Sequence, residues 1–477
     1  MSKVLFINPP SPDGHIYIRD VNRHGRRSNE MMIWPQTNLA SLAAMVEKDY
    51  EVKIYDCIAV NILWNEFEET IKSEKPDYVV IEIISSTLTN DLRVAKLAKK
   101  EGAVTIGVGP HVTELPGETL MGCSDLDFVM RGEMEITTRE LIDYCEQGSV
   151  DYSQIKGIGY LDKGKVALTE DRPFVEDLDS LPVPAFHLLP LHKYRRPFLG
   201  KYIFIVTSRG CPFPCTFCRQ IVMFKGIFRQ KSPERVVEEI KELIKYGITN
   251  YLLHADTFTV NKAWVLELCG LIQRENLNIR WACNTHIKAI DREIARAMKD
   301  AGCWMIAPGI ESGSQEILDN IKKGVMLDQI REIINMLHEE GLEIWAYFVF
   351  GFPGETKETI KQSIRFSKEL PIDIAHFGIG APYPGTEFYN MCKKNSWLKS
   401  ENWEDFDQNY SAIVEYPNLS SNEISSALRK AYISFYLRPR QMKKIMEEFA
   451  SSFSNMKMVF NIVKGLLLPV RETSDRC

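Results

Sequence analysis

The sequence predicts an α/β protein: an N-terminal doubly wound, Rossmann-like parallel sheet, then a partial (β/α)6 TIM-like barrel, then a helical C-terminal region. Three observations carry this prediction. Residues 1–150 and 201–390 each alternate short apolar runs with stretches of helical spacing, the pattern of parallel strands covered on both faces. Pro182, Pro184, Pro190 and Pro197 interrupt the chain between those two stretches, where a helix cannot continue. From residue 391 the strand signals give way to helical ones rich in Lys, Glu and aromatics.

Composition sets the outer bounds. A chain of 477 residues has room for two or three domains. Hydrophobic content of 45% and charged content of 26% are those of a soluble globular protein. A net charge of −6 gives no general nucleic-acid footprint. Apart from one cluster of three, the eleven cysteines are scattered, which suggests a reducing, cytoplasmic setting. The start, MSKVLFINPP, does not read as a signal peptide, and no run of about 18 apolar residues predicts a spanning helix. No internal repeat or low-complexity block stands out.

In residues 1–150, strands are expected at 4–7, 52–55, 78–84, 104–108 and 127–130, and helices at 36–48, 62–73, 91–101 and 135–145. Parallel sheets of this kind bind ligands at the carboxyl ends of their strands. Those ends carry Asn8, Asp56, the run Ser85, Ser86 and Thr87, then Gly109 to His111, and Arg131 to Glu133. Asp56 also suits a helix cap, Gly109 a turn, and His111 a hydrogen-bonded surface histidine. The basic stretch from Asp20 to Arg27 suits an anionic ligand, but it reads better as a solvated loop. Residues 151–200 read as a semi-rigid linker carrying a hairpin at 158–168 around Asp162-Lys-Gly-Lys.

In residues 201–390, strands are expected at 202–206, 251–254, 279–283, 304–307, 344–350 and 374–379, with helices between them. Ser232 is the expected N-cap of the first helix, and Gly247 follows its end. Right after the first strand comes Cys211-Pro-Phe-Pro-Cys215-Thr-Phe-Cys218. Three thiols within eight residues can face one centre. An iron–sulfur cube takes four thiolates, so three leave one iron open to a cofactor or substrate. Arg209 and Arg219 are placed to favour thiolates. The alternatives are a structural zinc site or an incidental cluster, but no second Cys/His pair follows at zinc spacing.

The Cys-x-x-x-Cys-x-x-Cys spacing, with Phe217 before the third cysteine, resembles the radical S-adenosylmethionine enzymes. The segments Leu253-His-Ala-Asp256-Thr-Phe-Thr259, Cys283-Asn284-Thr285-His286, Gly309-Ile-Glu311-Ser312-Gly313, Gly351-Phe-Pro-Gly354-Glu-Thr356 and Pro382-Tyr-Pro-Gly385-Thr386 are similar to recurrent loops of that family. The motifs NPPSPDG at 8–14, SSTL at 85–88, GPHVT at 109–113 and RGE at 131–133 resemble the cobalamin-binding domain that precedes some of its members. The run FYLRPR resembles that subgroup's C-terminal region, so the likeness spans residues 1–440.

The resemblance implies a 4Fe–4S cluster on Cys211, Cys215 and Cys218, with S-adenosylmethionine near Phe217, Asp256, Asn284, Glu311 and Ser312. It implies cobalamin near Asn8, Asp56, Ser86, Gly109 and His111. The first-strand loop has no Asp-x-His-x-x-Gly motif, which implies no protein histidine on cobalt. Val108 stands where the family often has a glycine. The implied reaction is C-methylation of an unactivated carbon, one S-adenosylmethionine supplying the methyl group through cobalamin and a second a 5′-deoxyadenosyl radical. A low-potential electron donor is implied as partner. The alternatives are a cobalamin-associated cyclisation or rearrangement, and a non-enzymatic sensor.

The substrate is not readable. Trp397, Trp403, Phe406 and Tyr410 hint at a hydrophobic small molecule, although aromatics at such positions are more often core. Residues 456–468 form an apolar stretch that suits a packed helix, or peripheral contact with a membrane.

Overall fold

The computed structural model describes residues 1–20, 23–28, 32–149, 151–196, 200–409 and 412–450. The N-terminal unit starts with β1 (Lys3–Asn8). A hairpin of β2 (Tyr17–Asp20) and β3 (Arg23–Arg27) follows, then β4 (Glu51–Asp56), β5 (Tyr78–Glu82), β6 (Val104–Val108) and β7 (Phe128–Met130). The sheet runs β4-β1-β5-β6-β7, and all of these neighbours are parallel. The strand sequences explain the two covered faces. Val4, Phe6, Tyr78 and Val80 join one core with the helices Thr37–Ala44 and Glu135–Glu146. Leu5, Ile7, Val79 and Ile81 join the opposite core with Phe67 and Ile71 of Trp64–Glu74 and Val94 and Ala98 of Leu88–Lys100. Alternate residues of each strand therefore bury on opposite sides, which a doubly wound sheet requires.

The hairpin of β8 (Ile158–Asp162) and β9 (Lys165–Leu168), expected within a semi-rigid linker, is part of the N-terminal unit. It extends the same sheet, β8 pairing antiparallel with β7 and β9 with β8. Ile158 is fully buried in the core that holds Phe128 and Met130. The stretch read as a solvated loop is also structured: Asp20 and Gly25 are buried within the β2–β3 hairpin. Val21 and Asn22 lie outside the described residues.

A short pair, β10 (Arg195–Arg196) and β11 (Gly200–Lys201), leads into β12 (Ile203–Val206). Then come β13 (Ser208–Arg209), β14 (Arg229–Gln230), β15 (Asn250–His254), β16 (Arg280–Thr285), β17 (Cys303–Glu311), β18 (Glu343–Phe350) and β19 (Ile374–Ile379). The second sheet is six-stranded and wholly parallel, in the order β12-β15-β16-β17-β18-β19. This is the expected partial barrel. Its first long helix starts at the expected cap, Ser232, which accepts from Arg235 N at 3.1 Å, and Asp291 caps a later one, accepting from Ile294 N at 2.9 Å.

Two elements join the halves. The helix Thr37–Ala44 puts Leu39 and Leu42 into the first core and Ala40 into the barrel core. The segment 403–409 crosses back over the N-terminal unit. Trp403 Nε1 donates to Glu118 at 2.6 Å, Thr89 N to Glu404 at 3.1 Å and Arg27 N to Asp407 at 3.1 Å. The aromatics read as a hint of a hydrophobic substrate pack internally: Phe406 sits with Tyr383 and Ile413, and Trp397 against Tyr416. Tyr410 lies outside the described residues, as does the apolar stretch 456–468. The C-terminal region holds the helices Glu387–Lys394, Ser421–Tyr436 and Pro439–Ala450. Tyr432 and Tyr436 hydroxyls donate to the Phe377 and Ala375 carbonyls, each at 3.0 Å, which covers the barrel beside β19.

Candidate active site

The cysteine loop leaves the carboxyl end of the barrel sheet between β13 and β14, whose antiparallel pairing closes its base. Gly210 opens it at φ +80, and a Cβ there would lie 2.0 Å from the Ile227 carbonyl oxygen, so only glycine fits this crossing. Gly210 N donates to Asp256 Oδ2 at 3.0 Å, Thr216 N to the Ile321 carbonyl at 3.0 Å, and Phe388 N to the Thr216 carbonyl at 3.0 Å. Phe213 stacks on His286 at 3.7 Å, and Phe217 packs on Phe352 at 4.7 Å. Three strand-end loops thus hold the motif in one conformation.

Cys211 and Cys215 are buried; Cys218 keeps some exposed surface although its thiol is enclosed. Cys211 Sγ lies 3.3 Å from Thr257 Oγ1. Burial pushes all three thiols up, Cys215 to about 11 and Cys218 to about 12. This corrects the expectation for Arg209 and Arg219, because both guanidinium charges are committed elsewhere. Arg209 bridges Glu133, at 3.0 Å, and Glu135. Arg219 pairs with Glu114 at 2.8 Å. The cation that does act on the thiols is Lys323, which lowers Cys215 against its burial.

Lys323 escapes sequence reasoning. Its ammonium is buried and pairs with Glu311 at 2.8 Å. Burial alone would lower it, but the Glu311 charge holds it above its ordinary value. Glu311 itself takes φ +68, a left-handed conformation uncommon for a residue with a side chain. A register shift in the β17–β18 pairing falls at this point. A Cβ on Gly309 would lie 2.4 Å from Glu311 Oε1, so this glycine makes room for the carboxylate. His286 shares the neighbourhood. Burial, and next the Lys323 charge, bring it down to about 3, so it is neutral.

The other expected barrel residues separate by role. Asp256 anchors the cysteine loop. Asn284 lies half-buried next to the end of β16, its carbonyl accepting from Phe258 N at 3.0 Å. Ser312 is turned into the fold: its hydroxyl lies 3.0 Å from Ser363 Oγ and accepts from Ser314 N at 3.2 Å.

At the first sheet the strand-end residues are largely bound to one another. Asp56 accepts from Asn8 Nδ2 at 2.8 Å, Tyr194 Oη at 2.8 Å and Ala59 N at 3.1 Å, the last as a helix cap. Ser86 Oγ donates to the Gly25 carbonyl at 3.2 Å. His111 Nδ1 lies 3.0 Å from Ser85 Oγ, and its ring meets Trp403 edge-on at 5.9 Å. Gly109 has φ +119, and a Cβ would lie 2.6 Å from the Ile83 carbonyl oxygen. The fold alone therefore requires glycine there. The helix that Gly109 starts, Pro110–Glu114, ends on the glutamate that pairs with Arg219, the residue after Cys218. Glu133 of the RGE segment also accepts from Arg229 at 2.8 Å. Buried ion pairs thus hold the strand ends of the first sheet against the cysteine loop of the second.

Comparison with known proteins places this arrangement. The Radical SAM superfamily model matches residues 205–367, and the B12 binding domain model residues 31–142. The chain is 37% identical over 413 residues to the uncharacterized methyltransferase PH0819 of Pyrococcus horikoshii, covering 86% of this chain and 89% of that one. This chain belongs to the radical SAM superfamily. It is 27% identical over 398 residues to an anaerobic magnesium-protoporphyrin IX monomethyl ester cyclase of Rubrivivax gelatinosus, covering 81% and 69% of the two chains. The fold is that of the radical S-adenosylmethionine methyltransferase TsrM of Kitasatospora setae, solved with cobalamin and a [4Fe-4S] cluster. The TM-score is 0.70 at 15% identity, over 92% of this chain and 90% of that one.

A radical SAM chain with a B12 binding domain is an enzyme whose cofactors are a 4Fe–4S cluster, S-adenosylmethionine and cobalamin. The residues fit. The cysteine loop offers three thiol ligands, one short of a full set for the cube. Among the described residues, no group of three or more His, Cys, Asp or Glu is set to hold a single metal ion. At the first sheet, Ser85, Ser86 and Thr87 line a strand end with uncharged hydroxyls, and the fully buried Glu82 has two carboxyl oxygens without partners. Polar, neutral groups of this kind suit the amide-rich edge of a corrin. No helix among the described residues is long and apolar enough to cross a membrane.

Proposed function

We propose that the chain is a cobalamin-dependent methyltransferase that methylates an unactivated carbon of a small molecule in the cytoplasm, with a low-potential electron donor as partner. One observation carries this reading: the strand ends of the B12 binding domain are ion-paired directly to both flanks of the cysteine loop, through Arg209 with Glu133 and Arg219 with Glu114. Two cofactor cradles held against each other can serve one substrate, which is catalysis by proximity. When bound, the cluster supplies the electron that cleaves S-adenosylmethionine to a 5′-deoxyadenosyl radical, and cobalamin supplies a methyl carrier.

The chain's own residues hold and orient. Cys211, Cys215 and Cys218 ligate the cluster. Glu311 and Lys323, a buried pair of opposite charges, would together complement the zwitterionic end of S-adenosylmethionine. Phe217 and Asn284 line the same site. Asp256 acts through the loop that it anchors, and Ser312 through the turn that it shapes. At the other cradle Ser86 and His111 would hold the cobalamin, and Asn8 and Asp56 would support that strand end through their mutual hydrogen bond.

The test is anaerobic. Protein reconstituted with iron, sulfide and hydroxocobalamin is reduced with S-adenosylmethionine present. Formation of both 5′-deoxyadenosine and S-adenosylhomocysteine is expected. 5′-Deoxyadenosine without S-adenosylhomocysteine would reject methyl transfer in favour of a ring-forming or rearranging reaction. Neither product, with the cluster intact, would reject radical chemistry altogether.

A further inference from the structure

Glu82 ends β5, and in the sequence it is a lone acid inside the apolar run 78–84. It is fully buried, and neither carboxyl oxygen has a hydrogen-bond partner among the described residues. Its surroundings are charged: Asp20, Arg19, Asp56 and Asp91 all act on it. The three other acids are satisfied. Asp91 pairs with Arg19 at 3.0 Å and accepts from Thr87 Oγ1 at 2.7 Å and Ile84 N at 3.2 Å. Asp20 accepts from Asn38 Nδ2 at 2.7 Å and Trp34 Nε1 at 3.0 Å. Asp56 has Asn8, Tyr194 and Ala59 N. The terminal nitrogens of the buried Arg19 guanidinium are committed as well, since Arg19 Nη1 also donates to Asn8 Oδ1 at 3.2 Å and the Pro9 carbonyl at 2.8 Å. Of the four acids Glu82 is the one without a partner; Arg19 Nε also has none among the described residues.

Burial, and next the Asp20 charge, hold its carboxyl well above the usual range, so it is a neutral acid. Such a group presents an O–H donor and a C=O acceptor side by side, the complement of a primary carboxamide. Its place is also informative. The sheet order β4-β1-β5 puts the reversal of strand order between β1 and β5, and ligands of doubly wound sheets bind outside that point. Glu82 ends one of those two strands. A buried polar group without a partner needs an explanation, and a ligand at this position supplies one.

We propose that Glu82 is a binding group for the corrin: its carboxyl pairs, acid to amide, with a primary carboxamide on the rim of cobalamin. This rests on the reading of the first sheet as a cobalamin cradle. The competing account is a buried water on Glu82.

Glu82→Leu and Glu82→Gln test it, read by the melting temperature of the apoprotein, the absorbance of the reconstituted cluster, and the affinity for hydroxocobalamin in equilibrium dialysis. Glu82→Leu should melt no lower than the wild type and keep the cluster, yet lose about tenfold or more in corrin affinity. Glu82→Gln should stay within about threefold of the wild type, because an amide pairs with an amide in the same two-point way. Wild-type affinity in Glu82→Leu would overturn the proposal and leave the water account. A fall in melting temperature that parallels the loss of affinity in both variants would overturn it too, making Glu82 a support of the fold. Failure of the wild type itself to bind corrin, with its cluster intact, would remove the cobalamin reading and this inference together. Equal binding by wild type and Glu82→Leu removes this inference alone.

Discussion

Glu355 shows how far burial can move a single group in this protein. It lies in the turn after β18, accepts from Gly351 N at 3.3 Å and from the Thr359 hydroxyl, and is raised by burial to about 7 from an ordinary 4.5. Between those two values the folded state holds a proton that the unfolded state has released. The stabilising contribution is therefore fully present below about pH 4.5 and is lost as pH rises through about 7. The span corresponds to at most about 3 kcal/mol. Glu355→Gln removes the titration while keeping the shape. The melting temperature should fall less between pH 5 and pH 8 in the variant than in the wild type; equal falls would show that Glu355 does not titrate there. The same scale explains what local sequence hides. Lys322 and Lys323 are neighbours of one type, yet Lys322 is exposed on Glu387 at 2.7 Å and Lys323 is buried on Glu311. Lys322 takes φ +53, and that backbone turn sends the next side chain inward. Nothing in the pair of letters says which lysine enters the site. Glu82, by contrast, stands in the sequence as an acid within an apolar run, a signal that the strand assignment at 78–84 passed over.

At the scale of elements, Gly109 carries a prediction that separates ligand from fold. An alanine there meets the Ile83 carbonyl oxygen at 2.6 Å and must take φ +119. Gly109→Ala should therefore destabilise the apoprotein by about 1–3 kcal/mol or more, with corrin retention falling in parallel. Gly132 has φ +74 and nothing within 4 Å of an added Cβ, so Gly132→Ala should cost only the smaller conformational penalty of about 1 kcal/mol. Thermal melts of the two apoproteins check this; equal losses would mean that the Ile83 contact relaxes freely. Strands such as β1 and β5 were legible because apolar runs of this length, bounded by turn residues, can bury on both faces. β17 was legible only as 304–307, because Pro308 and Gly309 look like breakers; the strand in fact runs to Glu311 across a register shift. The 158–168 hairpin was legible as a hairpin, but its sheet partner was not. A hairpin's own pairing is local, whereas β7 lies 28 residues away and is chosen by the burial of Ile158 beside Phe128 and Met130. The cysteine motif was legible because its ligands fall within one loop.

At the scale of the whole molecule, what matters is how the two sheets are held in register, and this could not be read from the sequence because the buried ion pairs between them join residues 74 to 105 positions apart. Glu133 is the hub. It accepts from Arg209 at 3.0 Å, Arg229 at 2.8 Å and Val175 N at 2.7 Å, all in buried surroundings. Removing one partner of a buried ion pair leaves a charge without compensation, which typically costs about 3–5 kcal/mol. An exposed pair such as Arg292 with Glu339 is screened by solvent and salt, and its loss should cost far less. Glu133→Gln should therefore melt well below Glu339→Gln. If the ion pairs also set the distance between the two cradles, Glu133→Gln has a second signature under conditions where it remains folded. Each cradle would still bind its cofactor, but the radical would form without a methyl donor in reach. Cluster absorbance and corrin retention should then stay near wild-type levels, while 5′-deoxyadenosine released per S-adenosylhomocysteine rises severalfold. An unchanged ratio alongside a lowered melting temperature would limit Glu133 to holding the fold together, and the register of the cradles would have to be set by the helix Thr37–Ala44 and the 403–409 segment instead.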